Sequence, residues 1–250
     1  MNNSHHKKCA IYSHMGDASQ AVDNTRLAFS NALRHNIDGI ETDVQLTKDQ
    51  VAVIYHNRLM TELGYSESHI CDFTFEQLNQ INFADSCPTA NHEGPIRLAE
   101  FISSYRDSCK LQIEIKHRDW EDYLSAQIKV QQCLEFIGDA KNNEVILSSF
   151  TEECLEYAYQ LDTRIPLIYA FRNTHSFSDV KNYLDRYPFV DGVCHPIATL
   201  DEALTSCLQN SNKQVLAYTC NRSDDIRKAL DLKVDILITD DPALAIKMRD

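Results

Sequence analysis

The chain has 250 residues, 43% of them hydrophobic, and a formal net charge of −13. This length suits a single α/β barrel as well as two small domains, and the negative charge argues against nucleic acid or an anionic membrane surface as a general partner. The nine cysteines are scattered without a Cys-x-x-Cys pair, which is typical of a reducing compartment where cysteines pack as small hydrophobes.

The first eight residues are polar, and no apolar signal-peptide core follows them. No stretch approaches the roughly 20 consecutive apolar residues that a membrane-spanning helix needs. We therefore expect a soluble, cytoplasmic protein without a transmembrane segment. The oligomeric state is not indicated by the sequence.

Short apolar runs and helical stretches alternate along most of the chain. Strands are predicted at residues 9–13, 39–46, 51–55, 111–116, 145–149, 166–170, 191–194, 214–218 and 235–239. Helices are predicted at 27–33, with Asp23 or Asn24 as the cap, and then at 73–78, 98–105, 120–137, 151–161 with Thr151 as the cap, 178–185, 200–208, 223–230 and 242–248.

This alternation gives about eight strand–helix units, which is the number in a TIM (β/α)8 barrel. An open doubly wound sheet is the alternative, but no glycine-rich fingerprint follows the first strand. Residues 57–96 are mostly polar and irregular, as functional loops and insertions often are. The sequence therefore predicts one barrel domain over residues 1–250, with a small insertion at about 57–96.

The strand that begins after Gly39 has an unusual polar face. Four mostly apolar residues alternate there with three polar ones, which are Glu41, Asp43 and Gln45. Helices cover the outside of a parallel barrel, so the polar face must line the interior or its mouth. A hard divalent cation, Mg²⁺ or Ca²⁺, would relieve the repulsion between buried carboxylates. On this stretch alone, a half-exposed strand with a polar outer face is the simpler interpretation.

Further polar residues stand where other predicted strands end, at the edge that carries the chemistry in barrels. Glu114 would complete a three-carboxylate metal site with Glu41 and Asp43, and Lys116 would offer a point charge to an anion. The remaining strand-end side chains are those of His14, His56, Phe150, His195, Tyr218 and Asp240. Two histidines at a metal-bound phosphate, His14 and His56, form an acid/base set for cleaving a phosphoester. Capping or packing is predicted for His69, His92, His117 and His175.

Taken together, these residues resemble the glycerophosphodiester phosphodiesterase family, over nearly all of the chain from His14 to Pro242. Two motifs carry most of this resemblance, Glu41-x-Asp43-Val44 with Thr47 and Asp49, and Glu114-Ile115-Lys116. The other matches are His14-Met15-Gly16 for His-Arg-Gly, Asp23-Asn24-Thr25 before Ala28-Phe29, His56-Asn57 for His-Asp, and Thr239-Asp240-Asp241-Pro242.

The resemblance implies a TIM barrel with a small insertion and a divalent metal ion held by Glu41, Asp43 and Glu114. It implies that His14 and His56 serve as general acid and base. The small-molecule substrate would be a glycerophosphodiester, a deacylated phospholipid, converted to glycerol 3-phosphate and an alcohol. By the family mechanism, a hydroxyl of the substrate's own glycerol attacks phosphorus to give a cyclic phosphate, which water then opens.

Four positions depart from the family pattern. Met15 replaces the arginine that clamps the phosphate, and a thioether cannot make the bidentate contacts of a guanidinium. Asp23 stands in place of a glutamate of the family, and Asn57 in place of an aspartate. Tyr218 stands where the family usually has tryptophan, and its ring can still line the pocket and bind substrate. Three interpretations follow: an active metal-dependent phosphodiesterase, a catalytically weak barrel that binds a phosphate ligand or a protein, and a lipid phosphodiesterase of the lysophospholipase D type. The first is favoured because the three carboxylates, both histidines and the lysine are all present.

Overall fold

A computed structural model describes residues 8–87, 91–138 and 144–250. The polar start at residues 1–7 and residues 88–90 of the predicted insertion lie outside the described residues. The strands are β1 (Ala10–His14), β2 (Gly39–Leu46), β3 (Ala52–Ile54), β4 (Lys110–Ile115), β5 (Val145–Ser149), β6 (Leu167–Ala170), β7 (Gly192–Pro196), β8 (Gln214–Tyr218) and β9 (Ile236–Thr239).

Eight of these strands are parallel and close into a barrel. β1 pairs with both β2 and β9, and β4 to β9 follow one another around the ring from the other side of β2. β3 pairs antiparallel with β2 and stays outside the ring. The fold is therefore the predicted TIM barrel, and the carboxyl ends of all eight barrel strands meet at one mouth.

Helices cover the outside of this barrel. They are α1 (Arg26–Leu33), α2 (Phe75–Leu78), α3 (Leu98–Tyr105), α4 (Tyr123–Ile137), α5 (Glu152–Leu161), α6 (Phe177–Arg186), α7 (Glu202–Asn210), α8 (Ser223–Asp231) and α9 (Pro242–Arg249). Every predicted helix is present. None of those in the described ranges is both long and apolar enough to cross a bilayer.

Some predicted helix starts differ from those in the structure by a few residues. Thr25, not Asp23 or Asn24, caps α1, because it is extended and its hydroxyl accepts from Ala28 N–H, whereas Asn24 is left-handed and accepts a hydrogen bond from Thr42 in β2. α4 begins at Tyr123 rather than at residue 120, because the Asp122 carboxylate accepts from Ser125 N–H. α5 does begin directly after Thr151, as predicted, but the side chain of Thr151 makes no capping hydrogen bond.

The two faces of β2 separate as the alternation predicts. Ile40, Val44 and Leu46 join the large apolar core between the sheet and the helices. Glu41 and Asp43 point into the barrel, where Tyr12, Ile146, Ile168, Leu216 and Ile236 form a buried apolar cluster. The carboxylates therefore lie above a packed plug, in surroundings that penalise unpaired charge.

The described part of the predicted insertion packs on its own small core. It contains two short 3-10 turns, Thr61–Leu63 and Ile70–Asp72, and α2. The buried side chains that hold it together are those of Val53, Tyr55, Met60, Ile70, Leu78 and Phe83. Since Val53 and Tyr55 flank the end of β3, this cluster anchors the segment beside His56.

Candidate active site

Three carboxylates meet inside the mouth of the barrel. Asp43 of β2 stands directly opposite Glu114 of β4, and Glu41 lies one inward position earlier on β2. One oxygen from each of the three lies within 4.8 Å of the other two, and all three side chains are buried. This is an oxygen donor set of the kind that Mg²⁺ and Ca²⁺ take. The three residues predicted as metal ligands are thus brought together.

Lys116 neutralises part of this charge. Its Nζ lies 2.7 Å from Asp43 Oδ1 and 2.5 Å from Glu114 Oε1. Burial acts to raise the pKa of Asp43, but the charge of Lys116 outweighs it and holds that pKa below its usual range. The same two carboxylates raise the pKa of Lys116 against the opposing effect of burial. Asp43 therefore remains an anion next to an ammonium group.

Glu41 is in a different electrostatic state. Burial, followed by repulsion from Asp43, raises its pKa to about 8. Its Oε2 is buried and makes no hydrogen bond with the described residues. A buried carboxylate oxygen without a donor is costly unless a proton or a cation meets it. The donor set therefore fits a divalent cation, which would replace the proton on Glu41.

The two predicted catalytic histidines face each other across the site. Their ring centroids are 6.1 Å apart and their planes nearly perpendicular. His14 ends β1, and its Nε2 lies 3.8 Å from Glu41 Oε2. His56 follows β3. Both rings line the same cavity, which places two proton-transfer groups beside the carboxylates.

Asp240 supports His14 from behind. Its Oδ1 lies 2.5 Å from His14 Nδ1, while its Oδ2 accepts a hydrogen bond from the amide of Asn221. Asn221 also accepts from the backbone N–H of Asp240, so this carboxylate is held at both ends. Burial lowers the pKa of His14, but the bond to Asp240 and the charges of Glu41 and Asp43 raise it overall, to about 9. The sequence placed Asp240 at a strand end without a role, and Asn221 was missed.

Two further side chains hold the backbone around His56. Gln45 donates from Nε2 to the carbonyl oxygens of Tyr55 and Asn57, at 2.8 and 3.1 Å. Arg118 donates to the carbonyl oxygen of His56 itself. Gln45 was expected only to share the polar face of β2, and Arg118 lies two residues after the Glu114-Ile115-Lys116 motif. These contacts fix the path of the chain on which His56 is carried.

The mouth opens into a cavity of about 270 Å³. Six of the seven predicted site residues line it, namely His14, Glu41, His56, Glu114, Lys116 and Tyr218, and Asp43 lies behind them in contact with Lys116. Phe150 and Tyr218 form an aromatic wall, with ring centroids 6.0 Å apart. The other lining residues are Gln112, Ser148, Ala170, Cys194, Thr219 and Ile238. This space suits a small polar ligand with an apolar flank.

Other predicted positions lie elsewhere. Met15 and His195 are buried but are not among the cavity-lining residues. His69 stacks on Trp120, with ring centroids 3.9 Å apart, and His175 contacts the backbone of Arg172. His117 lies 3.7 Å from Glu121. These contacts are consistent with the packing roles predicted for the last three histidines.

Comparison with known proteins gives a consistent match. The model of the glycerophosphoryl diester phosphodiesterase family matches residues 14–244. A glycerophosphodiester phosphodiesterase from Bacillus altitudinis is 28% identical over 246 residues, covering 96% of this chain and 98% of that protein. One from Caldanaerobacter subterraneus is 26% identical over 256 residues, with coverage of 96% and 98%.

Solved structures share the fold. An Oleispira antarctica phosphodiesterase in complex with the product sn-glycerol-3-phosphate is similar with a TM-score of 0.84 at 20% identity, covering 96% of each chain. A putative glycerophosphoryl diester phosphodiesterase from Silicibacter pomeroyi is similar with a TM-score of 0.82 at 18% identity, covering 97% of this chain and 93% of that one. At sequence identities of 18 and 20%, this similarity shows a shared barrel fold.

Proposed function

This chain belongs to the glycerophosphoryl diester phosphodiesterase family, and we propose that it is a metal-dependent phosphodiesterase that hydrolyses glycerophosphodiesters to glycerol 3-phosphate and an alcohol. The observation that carries the proposal is the group of three buried carboxylates, Glu41, Asp43 and Glu114, at a cavity flanked by two histidines. We treat residues 1–250 as one catalytic domain, with the insertion at about 57–96. A cytoplasmic location remains a prediction from the sequence.

The proposed division of roles follows from the chemistry of the side chains. Glu41, Asp43 and Glu114 would hold a Mg²⁺ or Ca²⁺ ion, which would polarise phosphoryl oxygens and offset their charge. Lys116 would contribute a further positive charge toward the phosphate, and Tyr218 would wall the substrate. His14 and His56 would transfer protons through the nitrogens that face the cavity.

The reaction then needs two proton transfers in each step. One imidazole accepts the proton of a glycerol hydroxyl as its oxygen bonds to phosphorus. The other imidazole donates a proton to the departing alcohol oxygen as the phosphorus–oxygen bond breaks, leaving a cyclic phosphate. In the second step the roles reverse, since water loses a proton, its oxygen bonds to phosphorus, and the ring oxygen that leaves is protonated.

A panel assay tests this function. Glycerophosphocholine, glycerophosphoethanolamine and glycerophosphoglycerol are incubated with the full chain in Mg²⁺, in Ca²⁺ and in chelator, and glycerol 3-phosphate is measured. We expect release from at least one of them with a metal ion and none in chelator. Equal hydrolysis in chelator would contradict the metal site, and the absence of any release would favour a phosphate-binding barrel. Release of an alcohol from lysophospholipids alone would favour a lysophospholipase D activity.

The affinity for Mg²⁺ should depend on pH. Because the metal-free pKa of Glu41 is raised to about 8, a bound cation must displace a proton at neutral pH. Affinity should therefore rise with pH by up to about tenfold per unit and level off above the pKa of Glu41. Calorimetric titrations at several pH values, in buffers of different ionisation enthalpy, measure both the affinity and the proton released. An affinity that does not change between pH 6 and 8 would contradict this expectation.

Restoring an arginine at position 15 tests the consequence of the family departure. Met15 is buried next to the site, and its backbone N–H donates to the carbonyl oxygen of Glu41. We expect Met15→Arg to raise kcat/KM for glycerophosphodiesters about tenfold, because a guanidinium adds charge-assisted bonds to the phosphate. Met15→Leu, which keeps the apolar character, is the matched control. The absence of a gain in Met15→Arg would mean that this chain holds the phosphate in another way.

A further inference from the structure

The two site histidines have different partners at Nδ1. His14 faces the carboxylate of Asp240, whereas His56 Nδ1 lies 3.0 Å from Oδ1 of Asn57. A carboxylate only accepts hydrogen bonds, so it leaves the proton on His14 Nδ1. A carboxamide can turn either its oxygen or its nitrogen toward a neighbour, so Asn57 by itself does not determine which nitrogen of His56 carries the proton.

Glu62 removes that ambiguity. It lies in the 3-10 turn Thr61–Leu63 of the insertion, and its Oε2 accepts a hydrogen bond from Asn57 Nδ2 at 3.0 Å. If the amide were flipped, Asn57 Oδ1 would face the carboxylate, placing two acceptors against each other. With Nδ2 bonded to Glu62, Oδ1 must face His56, and His56 Nδ1 must be the donor. Nε2 then carries the lone pair.

We propose that Glu62 and Asn57 are positioning residues that hold His56 in its Nδ1–H tautomer and so present Nε2 for proton transfer in the phosphodiesterase reaction. The consequence for turnover rests on the proposed function, but the tautomer itself is observable without any substrate. In the opposite tautomer Nε2 carries a hydrogen and cannot accept the proton of an attacking hydroxyl.

The surroundings of Asn57 favour a neutral side chain at that position. Asp23, Asn57 and Glu62 line the same small cavity beside His56. Burial, followed by the charge of Glu62, raises the pKa of Asp23. Asp85 lines this cavity as well. An aspartate at position 57 would therefore add a fourth carboxylate, whereas asparagine accepts from His56 and donates to Glu62 without adding charge.

The backbone of residues 55–57 is held in place without the side chain of Glu62. Gln45 and Arg118 already hold the carbonyl oxygens of residues 55–57. The conformational freedom that remains is the orientation of the Asn57 amide and, through it, the tautomer of the ring. Loss of Glu62 should therefore change the chemistry of His56 while leaving the fold and the metal affinity unchanged.

Kinetics on a coupled set of variants tests the proposal. Glutamine at position 62 can offer either oxygen or nitrogen, so Glu62→Gln no longer dictates the amide orientation. We expect it to lower kcat for glycerophosphocholine with Mg²⁺ about fivefold, the value of one hydrogen bond, with KM unchanged. In an Asn57→Asp background the same change should lower kcat no further, because a carboxylate at position 57 accepts from Nδ1 without a second partner. Glu67→Gln, an exposed residue of the same segment, is the control.

Nuclear magnetic resonance of the ¹⁵N-histidine-labelled full chain at alkaline pH gives the direct readout, with His56→Gln to assign the signals. The wild type should show His56 protonated at Nδ1, and Glu62→Gln should shift signal toward the Nε2–H form. An Nε2–H signal in the wild type, or an unchanged tautomer in Glu62→Gln, would overturn the proposal. An equal kcat loss in the Asn57→Asp background would also do so, because it would indicate a purely structural role. If the wild type showed no turnover, the proposed phosphodiesterase function would be contradicted. The tautomer of His56 could still be measured, because that measurement needs no substrate.

Discussion

Replacing Asp43 by asparagine, or Glu114 by glutamine, should lower turnover of glycerophosphodiesters at least about a thousandfold. Each change removes a buried oxygen anion from the set that would hold the cation, and with it the electrostatic stabilisation of charge that develops on the phosphoryl oxygens. The shapes of the side chains are kept, so no cavity is created. The measurements are kcat and KM in saturating Mg²⁺ and a calorimetric titration with Mg²⁺ alone.

The melting temperatures of the same variants, with and without Mg²⁺, should show whether the carboxylates bind a metal ion or only form a structural ion pair with Lys116. In chelator, the melting temperature of Glu114→Gln should stay within a few degrees of the wild type, because Lys116 keeps its contact with Asp43. Mg²⁺ should then stabilise the wild type but not the variant, since a cation that binds only the folded state stabilises by mass action. Asp224→Asn, an exposed acid in α8, is the control for loss of one charge. Full activity in Glu114→Gln would contradict the assignment of the three carboxylates.

Much of this architecture could be predicted because the periodicity of the sequence is strong. β2 alternates between a mostly apolar face and a polar face, and only one orientation buries Ile40 and Val44 under the helices. Once the barrel is assumed, that orientation turns Glu41 and Asp43 inward. The i, i+2 pattern of β4 places Glu114 opposite Asp43 in the same way. The spatial grouping of the carboxylates therefore followed from alternation and the parallel topology.

The parts that could not be predicted depend on contacts between distant loops. Asn221 and Asp240 are 19 positions apart in the chain, and neither has a local pattern that indicates a shared role toward His14. The bond from Asn57 to Glu62 required the path of the insertion, where no periodicity constrains the backbone. The cap of α1 was misplaced because Asn24 is a good capping residue that here bonds to β2 instead. Side-chain amides are often used in this way, and their partners appear only in three dimensions.

Removing the imidazole of His56 should separate chemistry from metal binding. His56→Gln is expected to lower kcat by about 10²- to 10⁴-fold, the usual contribution of a positioned acid or base, while the Mg²⁺ affinity changes by less than about threefold. The reason is geometric, since His56 lines the cavity but is not one of the three clustered ligands, and Gln45 and Arg118 hold its backbone independently. Calorimetry and steady-state kinetics on one preparation give both numbers.

His14→Gln should behave differently from His56→Gln, and the difference tests the electrostatics of the site. His14 lies 3.8 Å from Glu41, and its positive charge acts to lower the pKa of that buried acid. Its loss should make Glu41 hold its proton more tightly, so Mg²⁺ binding near neutral pH should weaken together with kcat and should recover at higher pH. His175→Gln is the control and should leave both quantities unchanged. Within the described ranges, the side chain of His175 makes hydrogen bonds only with the backbone of Arg172. If His56→Gln lost Mg²⁺ binding and His14→Gln kept it, the result would contradict this prediction. It would indicate that the cation binds next to His56 rather than next to His14 and Glu41.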